Sequence, residues 1–482
     1  MDGGDRADGP GAERRGPSLG AALGVCVVAV GVGIGLRPLY DNSFLTHLAT
    51  GRLILERGAV PDADPYTFTA AGDPWVVQSW LASWLYATVE SVAGLVGLRL
   101  LMGTVAGVLT AVAWRLTRPA GAVVGRLGLG ALFLAVAGGL WGERPFMLGL
   151  LALAAVVLAA EGGLDPKWLV PVGWLWVNTH GSFPLGVVYL AVAALGQRLD
   201  GERPTVELRA LSWLLPGIVA GAVSPVGPRL LTFPLELLQR QDVLRNVIEW
   251  QAPAFTSFSQ RAFLLQIVVA VVLIARRPTY RGALVAAVFT AAALVGSRNI
   301  TVASLVLLPA MASSLAGLGS LVSTDRGRLG RLVAAVGVGS FVLVGIVRLD
   351  QRDLDLRRYP VDAVAFVAGH GVDLADHHLA APDIVGNYLE LTYGPAGIVF
   401  YDDRFDMFPA EVSDAHLALV EASPSVRTQL ADHDIDLVVW GRTGALAQVL
   451  AADPSWRTLF SDEEWMLTCR RGRELGGTLG RC

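Results

Sequence analysis

A few polar side chains in this otherwise apolar sequence have the types and positions for chemistry at a membrane surface. Asp41 follows the first apolar run, and a carboxylate at such a low-dielectric edge can act as a general base or hold a metal ion. His47 lies within two helical turns of it and can orient it or share a metal. Arg298 interrupts an apolar run, and a guanidinium there can bond two phosphate oxygens at once, while Arg144 stands in an abrupt hairpin between two spans, where it can meet a substrate. Asn178, His180, Glu249 and Asn299 stand at other span ends, where they can meet a substrate. Asp402, Asp403 and Arg404 form a second cluster late in the chain. Each has a plainer role open to it. Asp41 can cap a helix, His47 can anchor a loop, and Asn178–His180 can close a polar turn. Glu143 and Arg144 can pair with each other or with head groups, and Arg298 can pair with Glu249 or Glu143. The late cluster can be a loop-stabilising ion pair, or a contact to substrate or to the apolar part. No two histidines share ligand spacing, so zinc is unsupported.

The elements that must position these groups are mostly spans. Only 17% of the 482 residues are charged, against about 25% in a soluble domain, and mean hydropathy is +0.52. Net charge is −4, so nothing basic argues for nucleic acid. Residues 1–17 read as a disordered cytoplasmic N-terminus and 18–348 as a transmembrane bundle. Crossings are expected at 19–38, 97–116, 122–140, 146–161, 168–179, 184–197, 208–224, 262–275, 282–296, 300–318 and 331–348. That is about eleven helices near spanning length. The first run, 19–36, is too long for a signal-peptide core and reads as a retained helix. Residues 76–95 carry Gln78, Ser79, Ser83 and Glu90 and read as a surface or re-entrant helix. Arginines then fall in alternate loops, which puts the N-terminus inside and the C-terminal part outside. The candidate residues share the outer face. Trp75, Trp80, Trp84, Trp141, Trp168 and Trp250 are expected in interfacial belts.

The first outer loop, 39–75, should hold an amphipathic helix over 43–57, started near Asp41–Ser43 and ended by Gly58. Such a helix is expected to lie in the interface plane. Asp62 and Asp64 then read as turn residues, 66–70 as extended, and 71–74 as another turn. Residues 230–260, with Asp242 and Arg245, read as surface helix and loop. The tail, 355–475, reads as a small α/β domain outside the membrane. Strands are expected at 397–401 and 435–439 and helices at 363–369, 415–422 and 445–450. Of the three cysteines, Cys26 lies in a span, and a Cys469–Cys482 bridge has little support from sequence.

Taken in order, several motifs resemble bacterial membrane proteins related to the GT-C glycosyltransferases. They are Asp41, His47–Leu48 with Gly51, Pro61–Asp64–Pro65, and Trp176–Asn178–His180–Gly181. Glu249–Trp250, Arg298–Asn299, Tyr359–Pro360, Gly386–Leu389 and Asp402–Arg404 complete the series. The resemblance implies a polytopic α-helical bundle with a C-terminal α/β domain, resident in the cell membrane. It implies a polyprenyl-phosphate-linked sugar, or another membrane lipid, as partner. The acceptor would be an extracytoplasmic glycan, lipid or protein. It makes Asp41 the candidate base and leaves a divalent metal possible. Two acids of the pattern are missing: Ser43 replaces the second Asp of the loop, and Gln78–Ser79 replaces a His-Glu pair. Those departures keep a non-catalytic envelope or assembly protein in contention. A transporter or flippase is a third reading, but the sequence shows no internal repeat and its polar groups gather at one side.

Overall fold

The computed structural model describes residues 18–240, 247–317 and 327–482. The expected disordered segment 1–17 lies outside them, as do Asp242, Arg245 and Arg326. Helices occupy every expected span: α1 (Leu19–Gly35), α3 (Trp80–Leu116), α4 (Val123–Ala137), α5 (Phe146–Ala160), α6 (Leu169–Thr179), α7 (Pro184–Leu199) and α8 (Thr205–Ala220), then α10 (Phe258–Arg276), α11 (Tyr280–Val295), α12 (Ile300–Val306), α13 (Leu308–Leu315) and α14 (Gly327–Leu349). Between them lie α2 (Asn42–Arg57) and α9 (Arg229–Gln239). Among the described residues four helical stretches are long and apolar enough to cross a membrane: Trp80–Ala120, Phe258–Arg276, Ser297–Leu315 and Gly330–Leu349. Leu19–Gly35, Val123–Ala137, Phe146–Ala160, Pro184–Leu199 and Tyr280–Val295 are apolar but shorter.

One buried apolar cluster runs through the bundle, with Phe133, Leu150, Trp176, Tyr189, Phe263, Phe289 and Met311 at its centre. Small residues let the helices close up. At Gly217 of α8 a side chain would run into the Val170 and Leu169 carbonyls of α6. At the end of α5 remote from Arg144, Arg281 bonds Glu161 at 2.7 Å and Glu207 at 3.0 Å.

Within the expected stretch 76–95, residues 80–93 form a helical limb of their own, separated by a break from the spanning limb that follows. Helix α3 begins at Trp80 and runs on to Leu116, broken only at Gly94, whose φ of 62° and ψ of −166° are non-helical. A residue without Cβ takes that conformation at little cost. The first limb packs on α2 and the second joins the bundle. At Gly51 of α2 any side chain would strike the Ser83 carbonyl.

The tail holds α15 (Val361–Gly369), α16 (Asp383–Tyr393), α17 (Ala410–Val420), α18 (Val426–Asp432) and α19 (Ala445–Ala452). Its four-stranded sheet has the order β1 (Leu379–Ala380), β2 (Leu437–Gly441), β4 (Trp465–Arg470), β3 (Trp456–Ser461). Strands β1 and β2 are parallel, and the other neighbours antiparallel. The β3–β4 hairpin and helices α16 and α18 were not read from sequence. A small hairpin, β5 (Glu474–Gly476) with β6 (Gly480–Arg481), follows, and Cys469 bonds to Cys482 after all. The expected strand at 397–401 is instead a loop in which Val399 makes single bridges to Thr67 and Leu379.

The tail and the loop 39–75 share one core. Leu39, Phe44, Leu45 and Leu48 of the loop and Tyr86 and Leu98 of α3 are buried with Tyr359, Val385, Leu389 and Leu467 of the tail. Thus α2 spends its apolar face on α3 and the tail rather than in the interface plane, although Leu55 stays exposed. Trp75 and Trp141 are likewise buried, whereas Trp84 and Trp168 are exposed. Backbone pairing reinforces the seam: Leu39 N–H donates to Asp353 at 2.8 Å, and Phe68 N–H to Val399 at 3.1 Å.

Candidate functional site

Asp41 is where the first helix gives way to α2, and its environment follows from that. Its Oδ1 accepts from the Ser43 N–H at 3.0 Å, so it caps α2 as its position requires. Gly58, left-handed at φ 65°, ends the same helix. Glu143 accepts the backbone N–H groups of Tyr40 and Asp41 at 3.1 and 2.9 Å. It thereby ties the turn before α5 to the start of α2. Arg37 stands 4.0 Å from Glu143, bonds the Tyr40 hydroxyl at 2.6 Å and lies over its ring.

Arg144 does not pair with its neighbour Glu143. Its Nε donates to both oxygens of Asp41 at 2.8 Å, and its Nη1 bonds Glu249. Three candidates from separate parts of the sequence therefore form one carboxylate–guanidinium–carboxylate chain. His180, His47, Arg144 and Arg298 lie within electrostatic reach of one another. Arg298 is half-buried over the Trp250 ring at 4.3 Å. Neither Glu249 nor Glu143 holds it: among the described residues no carboxylate pairs with Arg298.

Other candidates are committed to the scaffold. Asn178 is fully buried; its Oδ1 accepts from Trp80 Nε1 at 2.8 Å, and its amide donates to the Trp174 and Gly221 carbonyls. Asn299 donates to the Ala292 carbonyl at 3.1 Å. His180 Nδ1 accepts from the Ser182 N–H at 3.1 Å, and its ring meets Phe146 edge-on. His47 does not touch Asp41; its Nδ1 meets Ser83 Oγ at 3.0 Å. Burial, with the Arg144 charge adding, pushes its pKa down to about 4, so it is neutral at pH 7. Among the described residues no three His, Cys, Asp or Glu side chains gather closely enough to hold a metal ion.

The late cluster divides in two. Arg404 is buried and bonds Asp402 at 2.6 Å and Asp64 of the loop 39–75 at 2.8 Å, with Glu390 at 3.5 Å. The rings of Tyr66 and Trp75 flank it at 5.0 and 4.5 Å. Asp64, expected only as a turn residue, accepts from Tyr66 and Thr67 N–H at 3.1 Å and also carries this pair. Three acids face one cation, and burial first, then Asp402, raises Glu390 well above the carboxylate range. Asp403 points the other way, into the site, where Ser43 Oγ donates to its carboxylate. Its N–H donates to Asn387 Oδ1 at 3.1 Å, and Asn387 in turn donates to the Asn42 carbonyl at 3.2 Å. Beyond it, Arg240 donates to the Asp406 and Phe408 carbonyls at 3.1 and 2.7 Å. Residues 402–408 thus bridge from α2 to the end of α9.

Sequence reasoning missed Ser43, Asp64 and Glu390 as parts of this assembly, and gave Glu143 a side-chain partner where it holds the Tyr40 and Asp41 N–H groups. The signal was present only for Ser43, whose hydroxyl replaces an acid of the motif and meets a tail acid instead.

No protein-family model matches the chain, and a search of curated proteins returns no match. A search of solved structures does. The oligosaccharyltransferase AglB of Archaeoglobus fulgidus, solved with an inhibitory peptide and a dolichol-phosphate, superposes with a TM-score of 0.53. The alignment covers 87% of this chain and 69% of that one at 11% identity. The chain has a GT-C fold. A second GT-C protein, the mycobacterial arabinofuranosyltransferase AftD, aligns over 93% of this chain and 39% of its own, at 13% identity and a TM-score of 0.48. The AglB-like fold and the apolar helices of spanning length support a membrane protein.

Proposed function

We propose that the chain transfers a sugar from a polyprenyl-phosphate carrier to an extracytoplasmic acceptor, at the Asp41–Arg144–Arg298 cluster. The observation that carries this is Arg298. It is a half-buried guanidinium with no carboxylate partner among the described residues, within electrostatic reach of a second arginine. An unpaired cation at the edge of an apolar bundle is costly unless an anion joins it. A lipid phosphate supplies that anion, and the AglB structure contains a dolichol-phosphate.

In this reading Arg144 and Arg298 hold the carrier phosphate, the leaving group of the reaction. Arg144 is tied to Asp41 in the structure, so phosphate binding competes with Asp41 for it. A shift of Arg144 toward the phosphate frees the Asp41 carboxylate to accept the acceptor hydroxyl's proton. The acceptor oxygen attacks the anomeric carbon, that carbon's bond to the phosphate oxygen breaks, and the carrier leaves as the lipid phosphate. Glu249 remains to hold the outer end of Arg144. His47, being neutral, serves through Ser83 as a spacer of α2 against α3. The proposal includes about eleven crossings, with the N-terminus inside and the tail outside.

Retention of radiolabelled polyprenyl-phosphate sugar by the purified protein tests it. Arg298→Lys should weaken retention while leaving the fold intact, because an ammonium does not reproduce the two-point bond. Arg298→Leu should abolish retention. Equal retention by all three proteins would remove the phosphate role and the reading built on it.

A further inference from the structure

Asp403 comes from the tail, yet its carboxyl group meets the Asp41–Arg144 cluster. Ser43 makes the link: its N–H bonds Asp41 at 3.0 Å, and its hydroxyl donates to Asp403. One residue therefore touches both carboxylates, and Arg144 lies within electrostatic reach of each. Three contacts fix where Asp403 is. The Asn387 amide bridges its backbone to the start of α2, the neighbouring Arg404 is locked to Asp64, and Arg240 holds the carbonyls of Asp406 and Phe408. A tail that served only as an appendage would have no need to aim an acid into this seam. The neighbouring Asp402 is wholly consumed by Arg404, whereas Asp403 is partly buried with no cation bonded to it among the described residues.

The geometry points to Asp403 as the sugar-binding carboxylate of the site, holding a hydroxyl of the donor's sugar. This rests on the transferase reading, because it needs the carrier phosphate on Arg144 and Arg298. A sugar joined to that phosphate lies one ring away from it, and sugar hydroxyls need acceptors that are fixed and only partly hydrated. Asp41 and Glu249 are taken by Arg144 and Glu143 by backbone N–H groups, so Asp403 is the acid of the cluster with no cation bonded to it among the described residues. Its protonation suits the role. Burial pushes its carboxyl up to about 7; the Ser43 bond opposes this, Asp402 adds to it, and Arg144 and Asn387 oppose it. Near neutral pH it is present both as an acceptor and as a donor toward hydroxyl groups.

The test compares binding of two probes to the purified full chain: bare decaprenyl phosphate, and decaprenyl phosphate carrying mannose, glucose or arabinose. Wild type should retain at least one glycosylated carrier about tenfold better than the bare one, the worth of a hydrogen bond to a charged group. Asp403→Asn should hold bare carrier like wild type and lose most of that preference. Ser43→Asp combined with Asp403→Ser, which moves the carboxylate across the contact, should restore it. Full preference in Asp403→Asn would overturn the assignment and leave the transferase reading standing. So would a wild type that retains all carriers equally. A wild type that retains none would overturn the transferase reading, and the assignment with it. Unchanged thermal unfolding of Asp403→Asn confirms that the comparison is between folded proteins.

Discussion

Asp41 has two jobs that substitution can separate. It caps α2 through Ser43 N–H and it holds Arg144. Asparagine caps helices about as well as aspartate, whereas alanine forfeits about 1 kcal/mol. Asp41→Asn should therefore fold and insert normally but lose about 100-fold or more of any transfer activity, as expected for a general base. Asp41→Ala should be both inactive and less stable. Full activity in Asp41→Asn would take Asp41 out of the mechanism. Arg404 is a residue of the opposite kind, structural to its last contact. Three acids surround it and two aromatic rings cover it. Arg404→Leu leaves Asp402 and Asp64 without their cation, and should cost about 3–5 kcal/mol, the scale for one half of a buried pair. Denaturant titration of the purified protein measures this. A loss under about 1 kcal/mol would mean that the acids simply take up protons.

The element that binds site and scaffold together is α2. Its capping signals, Asp41 and Gly58, were legible in sequence because each end is decided locally, by a side-chain oxygen and by a residue free to take a positive φ. Its partner face was not. The spacing of Phe44 and Leu48 shows an apolar stripe but not what covers it, and lipid would serve as well as the tail. The same limit applies to the site. Positions such as Arg144, Glu249 and Arg298 could be singled out because charge is expensive in an apolar run. Their pairing could not, since Asp41 and Arg144 meet only through the packing of α2, α3 and α5. The β3–β4 hairpin was missed because Trp456–Ser461 is charged and polar in part, an edge strand whose identity comes from β4. Gly51 gives a direct test of the α2–α3 contact. Gly51→Ala pushes a methyl group into the Ser83 carbonyl, so the helices must part. A loss of about 1–3 kcal/mol in stability is expected. The His47–Ser83 bond should weaken with it, visible as a rise of the His47 pKa from about 4 toward that of a free imidazole as water enters. Unchanged stability in this variant would mean that the contact is looser than the fold requires.

Across the whole molecule the tail is packed into the 39–75 loop and α3 rather than standing apart as an independent module. Its core is continuous with that loop through Phe44, Leu48, Val385 and Leu389, and its backbone pairs with the loop near Leu39 and again near Thr67. Two consequences can be checked. The first concerns sidedness. A bridge between Cys469 and Cys482 persists in an oxidising compartment, which suits a tail outside the membrane. A single cysteine placed at Arg203 should then resist membrane-impermeant reagents on intact cells. Labelling there would reverse the proposed orientation. The second concerns autonomy. Residues 355–482 expressed alone would expose the face of α16 that α2 now covers and the apolar core shared with Phe44, Leu48 and Tyr86. The sheet itself is small, and β1 contributes only two residues to it. Arg404 would also lose Asp64 and the flanking Tyr66 and Trp75 rings, leaving a buried cation with an incomplete shell. Hydrophobic area and charge compensation are thus lost at the same place, and a domain of this size has little reserve stability to absorb that. The isolated tail should aggregate or show the poorly dispersed amide spectrum of a loosely packed chain. Adding residues 39–75 as a separate peptide should not suffice, because Tyr86 and Leu98 of α3 belong to the same core. A well-dispersed, cooperatively unfolding tail would show that the shared core is an interface between two finished domains, and Asp403 would then reach the site by docking rather than by folding.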